Sequence, residues 1–251
     1  PQQPPLPPPT THPTTTSRKM LPTPTTSHLT FDHIYEPSED TFLLLDTLAL
    51  QSPFLRSRFP QTSSPPPLVL ELGSGSGVVT SFLTTQSTAL FGHSSVITLS
   101  TDISPHAPDA TRRTVAANIT RESGCFLGAV RMDLAVGVRA GVVDVLVFNP
   151  PYVPTEVVVE DGSGEEGWIG VACGGGVDGM EVTVRVLRGL NECLSECGVA
   201  YILLCERNKP EAVAEQLRNG EYGVKWVVEK VGTSGRKGGW EVLGIWRVMR
   251  W

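Results

Sequence analysis

The sequence predicts an α/β fold built on a doubly wound, mostly parallel sheet, and three observations predict it. Short apolar runs of strand length alternate with longer runs of helical spacing between Leu68 and Arg218, the pattern of parallel strands joined by helical crossovers. Glu71, Asp102, Asp133 and Asn149 each fall at or just past the end of one such apolar run. In such a sheet, right-handed crossovers leave ligand sites beyond the C-terminal ends of the strands. The last two runs, Val224 to Val231 and Trp240 to Val248, flank a Gly-rich turn and read as an antiparallel pair.

The elements follow in order. Residues 1–30 carry nine Pro and nine Thr and almost no large apolar side chains, so they cannot bury enough surface to offset their ordering entropy and read as a disordered tail. Order begins near Phe31, giving one domain over residues 31–251. Pro37-Ser38 starts a helix, with Phe42, Leu45, Leu48 and Ala49 at helical spacing. Residues 51–67 read as a loop. Leu68 to Leu72 is a buried strand and Val78 to Thr85 a helix. Ser95 to Ser100 is a strand and Pro105 to Ile119 a helix. Cys125 to Met132 is a third strand, and Val142 to Phe148 the strongest strand. Met180 to Cys197 reads as a helix, Val199 to Cys205 as a strand and Pro210 to Arg218 as the last helix.

Composition narrows the function classes. Of 251 residues, 40% are hydrophobic, enough for an ordinary packed core. The formal charge is −6; the tail holds Arg18 and Lys19 without an acid, leaving 18 basic against 26 acidic residues beyond it. An acidic body is poorly suited to gripping a phosphate backbone, so nucleic acid is not the expected partner. Five cysteines, an odd number, argue against a disulfide framework. Cys193 and Cys197 would lie one turn apart on a helix without zinc-type companions, and the thiols read as free and buried. A reducing compartment, cytosol or nucleus, is the expected location. No run approaches the roughly 18 apolar residues of a membrane span, and no signal-peptide pattern is present.

The segment Glu71-Leu72-Gly73-Ser74-Gly75-Ser76-Gly77 turns a strand into a helix. Glycines there let the backbone pass close beneath a bound nucleoside and tolerate positive φ. A dinucleotide site wants G-x-G-x-x-G, but the sixth position is Val78 counted from Gly73 and Thr80 counted from Gly75. Glycines at alternate positions suit a methyl donor such as S-adenosylmethionine better than a pyrophosphate. Asp102, 25 residues past Gly77, ends the next strand. A carboxylate there accepts from both ribose hydroxyls, each charge-assisted bond contributing about 1.5–3 kcal/mol. Asp133-Leu134 follows the third strand, where the edge of an adenine would lie.

Asn149-Pro150-Pro151-Tyr152 follows the fourth strand. The prolines fix φ and remove two N–H donors, so the strand stops and a stiff peptide is presented at its end. The Asn149 side chain and nearby backbone carbonyls can then meet one small planar group, with Tyr152 as a stacking face. That equipment suits an –NH₂ on an sp² carbon. Such a nitrogen is a poor nucleophile, and holding it in line with the methyl donor supplies proximity and orientation. Acceptors aimed at its hydrogens favour the charge that develops during transfer. Asn149, Pro150 and Tyr152 are therefore the candidate catalytic residues, and Asn149, Pro151 and Tyr152 the candidate acceptor-binding residues.

With these motifs in place, the chain resembles the HemK-type N5-glutamine methyltransferases and, within them, the eukaryotic release-factor methyltransferases. The resemblance covers about residues 31–248. It is carried by Tyr35-Glu36-Pro37-Ser38-Glu39-Asp40-Thr41, Glu71 to Gly77, Thr101-Asp102-Ile103, Asp133-Leu134 and Asn149-Pro150-Pro151-Tyr152-Val153-Pro154. The spacing of Trp168, Gly174-Gly175 and Asp178-Gly179 adds to it. It implies a seven-stranded Rossmann-like sheet in the order 3-2-1-4-5-7-6 and S-adenosyl-L-methionine as donor, leaving S-adenosyl-L-homocysteine. It assigns donor contacts to Thr41, Glu71, Gly73, Gly75, Asp102, Asp133, Leu134 and Asn149, with Tyr35 to Thr41 closing over the donor. The implied acceptor is the glutamine of a release factor's Gly-Gly-Gln loop. The long N-terminal domain of bacterial relatives is expected to be missing here.

The resemblance also implies a small zinc-binding activator subunit. In the implied order the Cys125 to Val130 strand lies at the sheet edge, where an exposed apolar strand is an association hazard unless a partner covers it. Thr155 to Gly179 is rich in Gly and acids and reads as a lid or a flexible insertion; Glu160, Asp161, Glu165 and Glu166 would meet a basic substrate surface or simply face solvent. Arg236-Lys237-Gly238-Gly239 reads as a solvated hairpin turn. The same Asp/Asn-Pro-Pro-aromatic chemistry serves adenine N6-methylation, and a protein lysine is a third acceptor class.

Overall fold

The computed structural model describes residues 20–62, 65–156, 167–235 and 242–250. Seven apolar runs pair into one sheet: β1 (Leu68–Leu72), β2 (Ile97–Asp102), β3 (Cys125–Arg131), β4 (Val143–Phe148), β5 (Leu194–Cys205), β6 (Val227–Thr233) and β7 (Leu243–Met249). Their order is β3-β2-β1-β4-β5-β7-β6. The pairings from β3 across to β5 are parallel, and β7 runs antiparallel to both β5 and β6. Eight helices cover it: α1 (Glu39–Leu50), α2 (Ser52–Arg58), α3 (Val78–Thr85), α4 (Ser87–Phe91), α5 (Ala107–Asn118), α6 (Gly167–Cys173), α7 (Glu181–Cys193) and α8 (Pro210–Asn219). The doubly wound sheet and its order are those the sequence and the resemblance imply.

Successive strand residues point to opposite faces, so each strand feeds two cores. Val69, Val145, Val147, Tyr201 and Leu203 pack with Leu44, Leu48, Phe82 and Leu90 on one face. Leu70, Leu72, Leu146, Phe148, Ile202 and Leu204 pack with Leu187, Leu190, Val213 and Leu217 on the other. A strand buried on both faces reads as a continuous apolar run, which is why β4 and β5 stand out in the sequence.

Register positions the site. Leu72 lies opposite Phe148 on β4 and opposite Thr101 on β2. The next residues, Gly73, Asn149 and Asp102, therefore leave three adjacent strands at one level. Strand order reverses between β1 and β4, with β2 and β3 added on one side and β4 and β5 on the other, and open α/β sheets bind ligands at this switch point.

Several expectations need correction. Residues 20–30, assigned by composition to the tail, pack against α5: the Thr25 amide donates to Asn118 Oδ1 at 2.9 Å, Asn118 Nδ2 donates back to the Thr25 carbonyl at 3.0 Å, and Arg113 donates to the His28 carbonyl. Residues 1–19 lie outside the described residues. The expected loop over 51–67 contains α2, whose Pro53 sits in the first turn, and α4 is also additional. The helix expected to reach Cys197 stops at Cys193, and Leu194 begins β5 opposite Val143. Leu187, Leu190 and Leu194 are all buried; their spacing continues the helical pattern across the break, so periodicity conceals it. Cys193 and Cys197 thus lie in different elements. Only Cys205 is buried; Cys125 and Cys197 are exposed. Trp240, the Arg236 to Gly239 turn and the Glu160, Asp161, Glu165 and Glu166 run lie outside the described residues.

Candidate active site

A cavity of about 350 Å³ opens over the C-terminal ends of β1, β2 and β4, within the size range of small-molecule sites. It brings together every residue the sequence singled out: Thr41, Glu71, Gly73, Gly75, Asp102, Asp133, Leu134, Asn149, Pro150, Pro151 and Tyr152 all line it.

The glycine turn divides into two roles. Gly73 and Gly75 have φ of +66° and +49°, and a methyl group added to either would meet nothing within 4 Å. Their backbone is bare on the cavity side. At Gly77 an added methyl would sit 2.5 Å from Thr111 Cα, so this glycine is there to let α3 and α5 approach. The Gly75 amide donates to Asp102 Oδ2 at 2.8 Å and the Ser104 amide to Oδ1 at 2.8 Å. Both carboxylate oxygens are thereby held, and Asp102 lines the cavity. Burial nevertheless pushes the Asp102 carboxyl above its ordinary range.

Glu71 is buried on β1 and accepts from Thr80 Oγ1 on α3. Burial raises its pKa from 4.5 to about 8; the Thr80 hydrogen bonds oppose the shift, and Asp102 adds to it. The folded chain therefore keeps this proton where the unfolded chain has lost it. The stabilisation is complete below about pH 4.5 and declines as pH rises to about 8. Glu71→Gln, which carries no charge, is expected to melt progressively higher than the wild type as pH rises from 5 to 9. Thermal melts of the donor-free proteins check this; parallel melting curves across that range would refute it.

Asp133 pairs with Arg185 of α7, both side chains about half exposed. Leu134 beside it holds a left-handed backbone, φ 51°. Such strain in a bulky residue costs on the order of 1 kcal/mol and tends to gather at functional sites.

At Asn149 the amide is held one way round. Nδ2 donates to Asp40 Oδ2 at 3.1 Å; the reverse orientation would face two oxygens across that gap. Oδ1 is buried and has no hydrogen-bond partner among the described residues. A buried acceptor without a donor costs roughly 1–3 kcal/mol, and Asn149 is one of the residues lining the cavity. Asp40 is fixed in turn: the Thr41 amide, Thr41 Oγ1 and Ser38 Oγ donate to its Oδ1 at 2.6, 3.2 and 3.1 Å. Tyr35 Oη meets Ser38 Oγ at 2.8 Å. In the sequence Asp40 is one residue of the Tyr35 to Thr41 segment expected to close over the donor, with no role of its own, because an acid in a helix's first turn is ordinary. Its signal is only visible in space. Asp40→Ala is expected to lower turnover about 10- to 100-fold by freeing the Asn149 amide, with a much smaller loss of donor affinity. Equal losses in both would assign Asp40 to donor binding instead.

The Asn-Pro-Pro-Tyr peptide is braced from behind. The Val153 amide donates to the Cys173 carbonyl at 3.0 Å and the Gly175 amide to the Val153 carbonyl at 2.8 Å. Asn208 Nδ2 donates to the Tyr152 carbonyl at 3.3 Å and to the Asp178 carbonyl at 2.9 Å. Trp168, Val171, Ala172 and Cys173 of α6 wall the cavity, so this helix of the Thr155 to Gly179 segment covers the site.

No protein-family model matches the sequence. The chain is 37% identical over 238 residues to the eRF1 methyltransferase catalytic subunit mtq2 of Schizosaccharomyces pombe, covering 92% of this chain and 96% of that protein. It is 35% identical over 206 residues to methyltransferase HEMK2 of Mus musculus, covering 79% and 85%. Among solved structures it resembles human methyltransferase 10 domain containing protein, with TM-score 0.54, 13% identity and coverage of 87% and 86%. It also resembles the N-terminal domain of human METTL16 in complex with SAH, with TM-score 0.52, 15% identity and coverage of 87% and 73%. Likeness at that identity is one of fold.

Proposed function

This chain belongs to the HemK-type protein-glutamine methyltransferase family, and on that premise we propose that it transfers a methyl group from S-adenosylmethionine to the side-chain amide nitrogen of the glutamine in a release factor's Gly-Gly-Gln loop. The observation that carries this reading is the buried, unpartnered Oδ1 of Asn149 at the same level as Gly73 and Asp102. The residues present fit the donor: Gly73 and Gly75, whose backbone is open to the cavity, would lie beneath its nucleoside, Asp102 would accept from its ribose, and Asp133 and Leu134 would hold its adenine. The donor supplies an electrophilic methyl carbon on a sulfonium.

Asn149 Oδ1 accepts from the glutamine –NH₂ and fixes its plane, with Tyr152 as the stacking face. Pro150 and Pro151 keep the peptide stiff, so little reorganisation is needed when charge appears. As positive charge develops on the nitrogen, the Oδ1 acceptor binds its hydrogens more strongly. The proton leaves after transfer, when it is far more acidic, and no strong base is required. The exposed Leu127 and Val130 on edge strand β3 support the implied zinc-binding activator as a partner pairing along that edge.

The test supplies the chain and its activator with donor bearing a deuterated methyl group and, in separate reactions, release factor, lysine peptide or adenine-containing DNA. Mass spectrometry is expected to place the label on the Gly-Gly-Gln glutamine and to find none when that residue is alanine. Label in the DNA or lysine peptide, with none in the release factor, would overturn the assignment.

A further inference from the structure

A second groove lies behind the bracing loop. It runs between α7 and α8 and shares Arg185 with the active-site cavity. Its wall on the site side is Asp178 and Asn208, and Asn208 also holds the Tyr152 carbonyl. The groove thus begins one side chain behind the Asn-Pro-Pro-Tyr peptide.

Its charge is opposite to that of the chain. Arg185, Arg188, Arg207 and Lys209 line it on a protein of net charge −6. Arg185 is paired with Asp133. Arg188, Arg207 and Lys209 are exposed and make no ion pair among the described residues. The groove's own carboxylates are Asp178 and Glu181, and Glu181 is engaged by the Val177 amide at 3.0 Å. Val184 and Tyr222 give the floor apolar area. Asp178 and Lys209 both hold left-handed backbone, φ 58° and 52°, and Asn208 sits between them.

We propose that this groove docks an acidic segment of the protein substrate. The inference rests on the protein-substrate reading above and adds a second contact to it. Three cations without an ion pair among the described residues, in an open, partly apolar groove, complement a short acidic peptide, whereas a nucleic-acid backbone needs a longer basic track than this acidic chain offers. A substrate held there is anchored a short distance from its glutamine, so the groove governs encounter and affinity rather than the chemical step.

The test compares the wild type with an Arg188→Glu, Arg207→Glu, Lys209→Glu triple variant, each with its activator, on full-length release factor and on a short Gly-Gly-Gln peptide. The variant is expected to raise KM for the full-length protein at least about tenfold, with kcat and activity on the short peptide unchanged. The wild-type KM is expected to rise between about 0.05 M and about 0.3 M salt, and the variant's to stay flat or fall. Equal KM values for the two proteins would overturn the proposal. If the wild type methylates neither substrate, the function assignment fails on its own, and binding of a fluorescent oligoglutamate peptide decides the groove. Loss of that binding in the variant supports it; equal binding, or preference for a single-stranded RNA of the same charge, refutes it.

Discussion

Asn149→Ala is expected to lower turnover by about 10²–10³-fold while leaving the fold intact. The size follows from the role proposed for the side chain, in which Oδ1 accepts from a nitrogen that gains positive charge; loss of one such group typically costs that much. The substitution also removes the donor to Asp40 Oδ2. Asp40 keeps its three other donors on Oδ1, so the start of α1 stays in place. Single-turnover rates at saturating donor, beside thermal melts and direct donor binding, check this. Turnover should collapse while melting changes little and donor affinity falls far less than turnover. Retained turnover would remove Asn149 from the chemistry.

Gly175→Ala is the second large effect, and it acts without touching any ligand. A methyl group at Gly175 would lie 2.4 Å from the Pro151 carbonyl oxygen and 2.7 Å from the Gly179 carbonyl oxygen. Both obstacles are backbone, so the packing between Pro151 and the Gly175 to Gly179 loop that braces it must open. A displacement near 1 Å at a positioning group costs on the order of 100-fold. Turnover is expected to fall by about that factor, with donor affinity nearly unchanged because Gly73 and Gly75 follow β1 and Asp102 ends β2, away from this loop. As a control, Gly189→Ala on α7, where an added methyl meets nothing within 4 Å, should leave turnover unchanged. Full activity in Gly175→Ala would mean that the peptide is not held in place by the loop behind it.

Much of this was legible in the chain itself. The parallel strands could be read because burial on both faces makes β1, β4 and β5 continuous apolar runs. The donor and acceptor motifs could be read because each follows a strand end, and parallel strands in register put successive ends together. Three things could not be read. Leu194 continues the helical spacing of Leu187 and Leu190, so the start of β5 was absorbed into α7. The 20–30 segment has a tail's composition, yet backbone amides and carbonyls, to which composition is blind, tie it to α5. Asp40 and Asn208 look like an ordinary first-turn acid and an ordinary loop amide. Their roles come from partners 109 and 56 residues away in sequence, a relation that only the fold creates.

The most direct measurement is a structure of the chain with its activator, S-adenosylhomocysteine and a Gly-Gly-Gln peptide. Asn149 Oδ1 should lie within about 2.7–3.2 Å of the glutamine side-chain nitrogen, with Nδ2 still on Asp40 and the ribose on Asp102. A glutamine nitrogen beyond hydrogen-bonding reach of Oδ1, or an Oδ1 occupied by the donor alone, would contradict the assignment of Asn149 as the clamp for the acceptor.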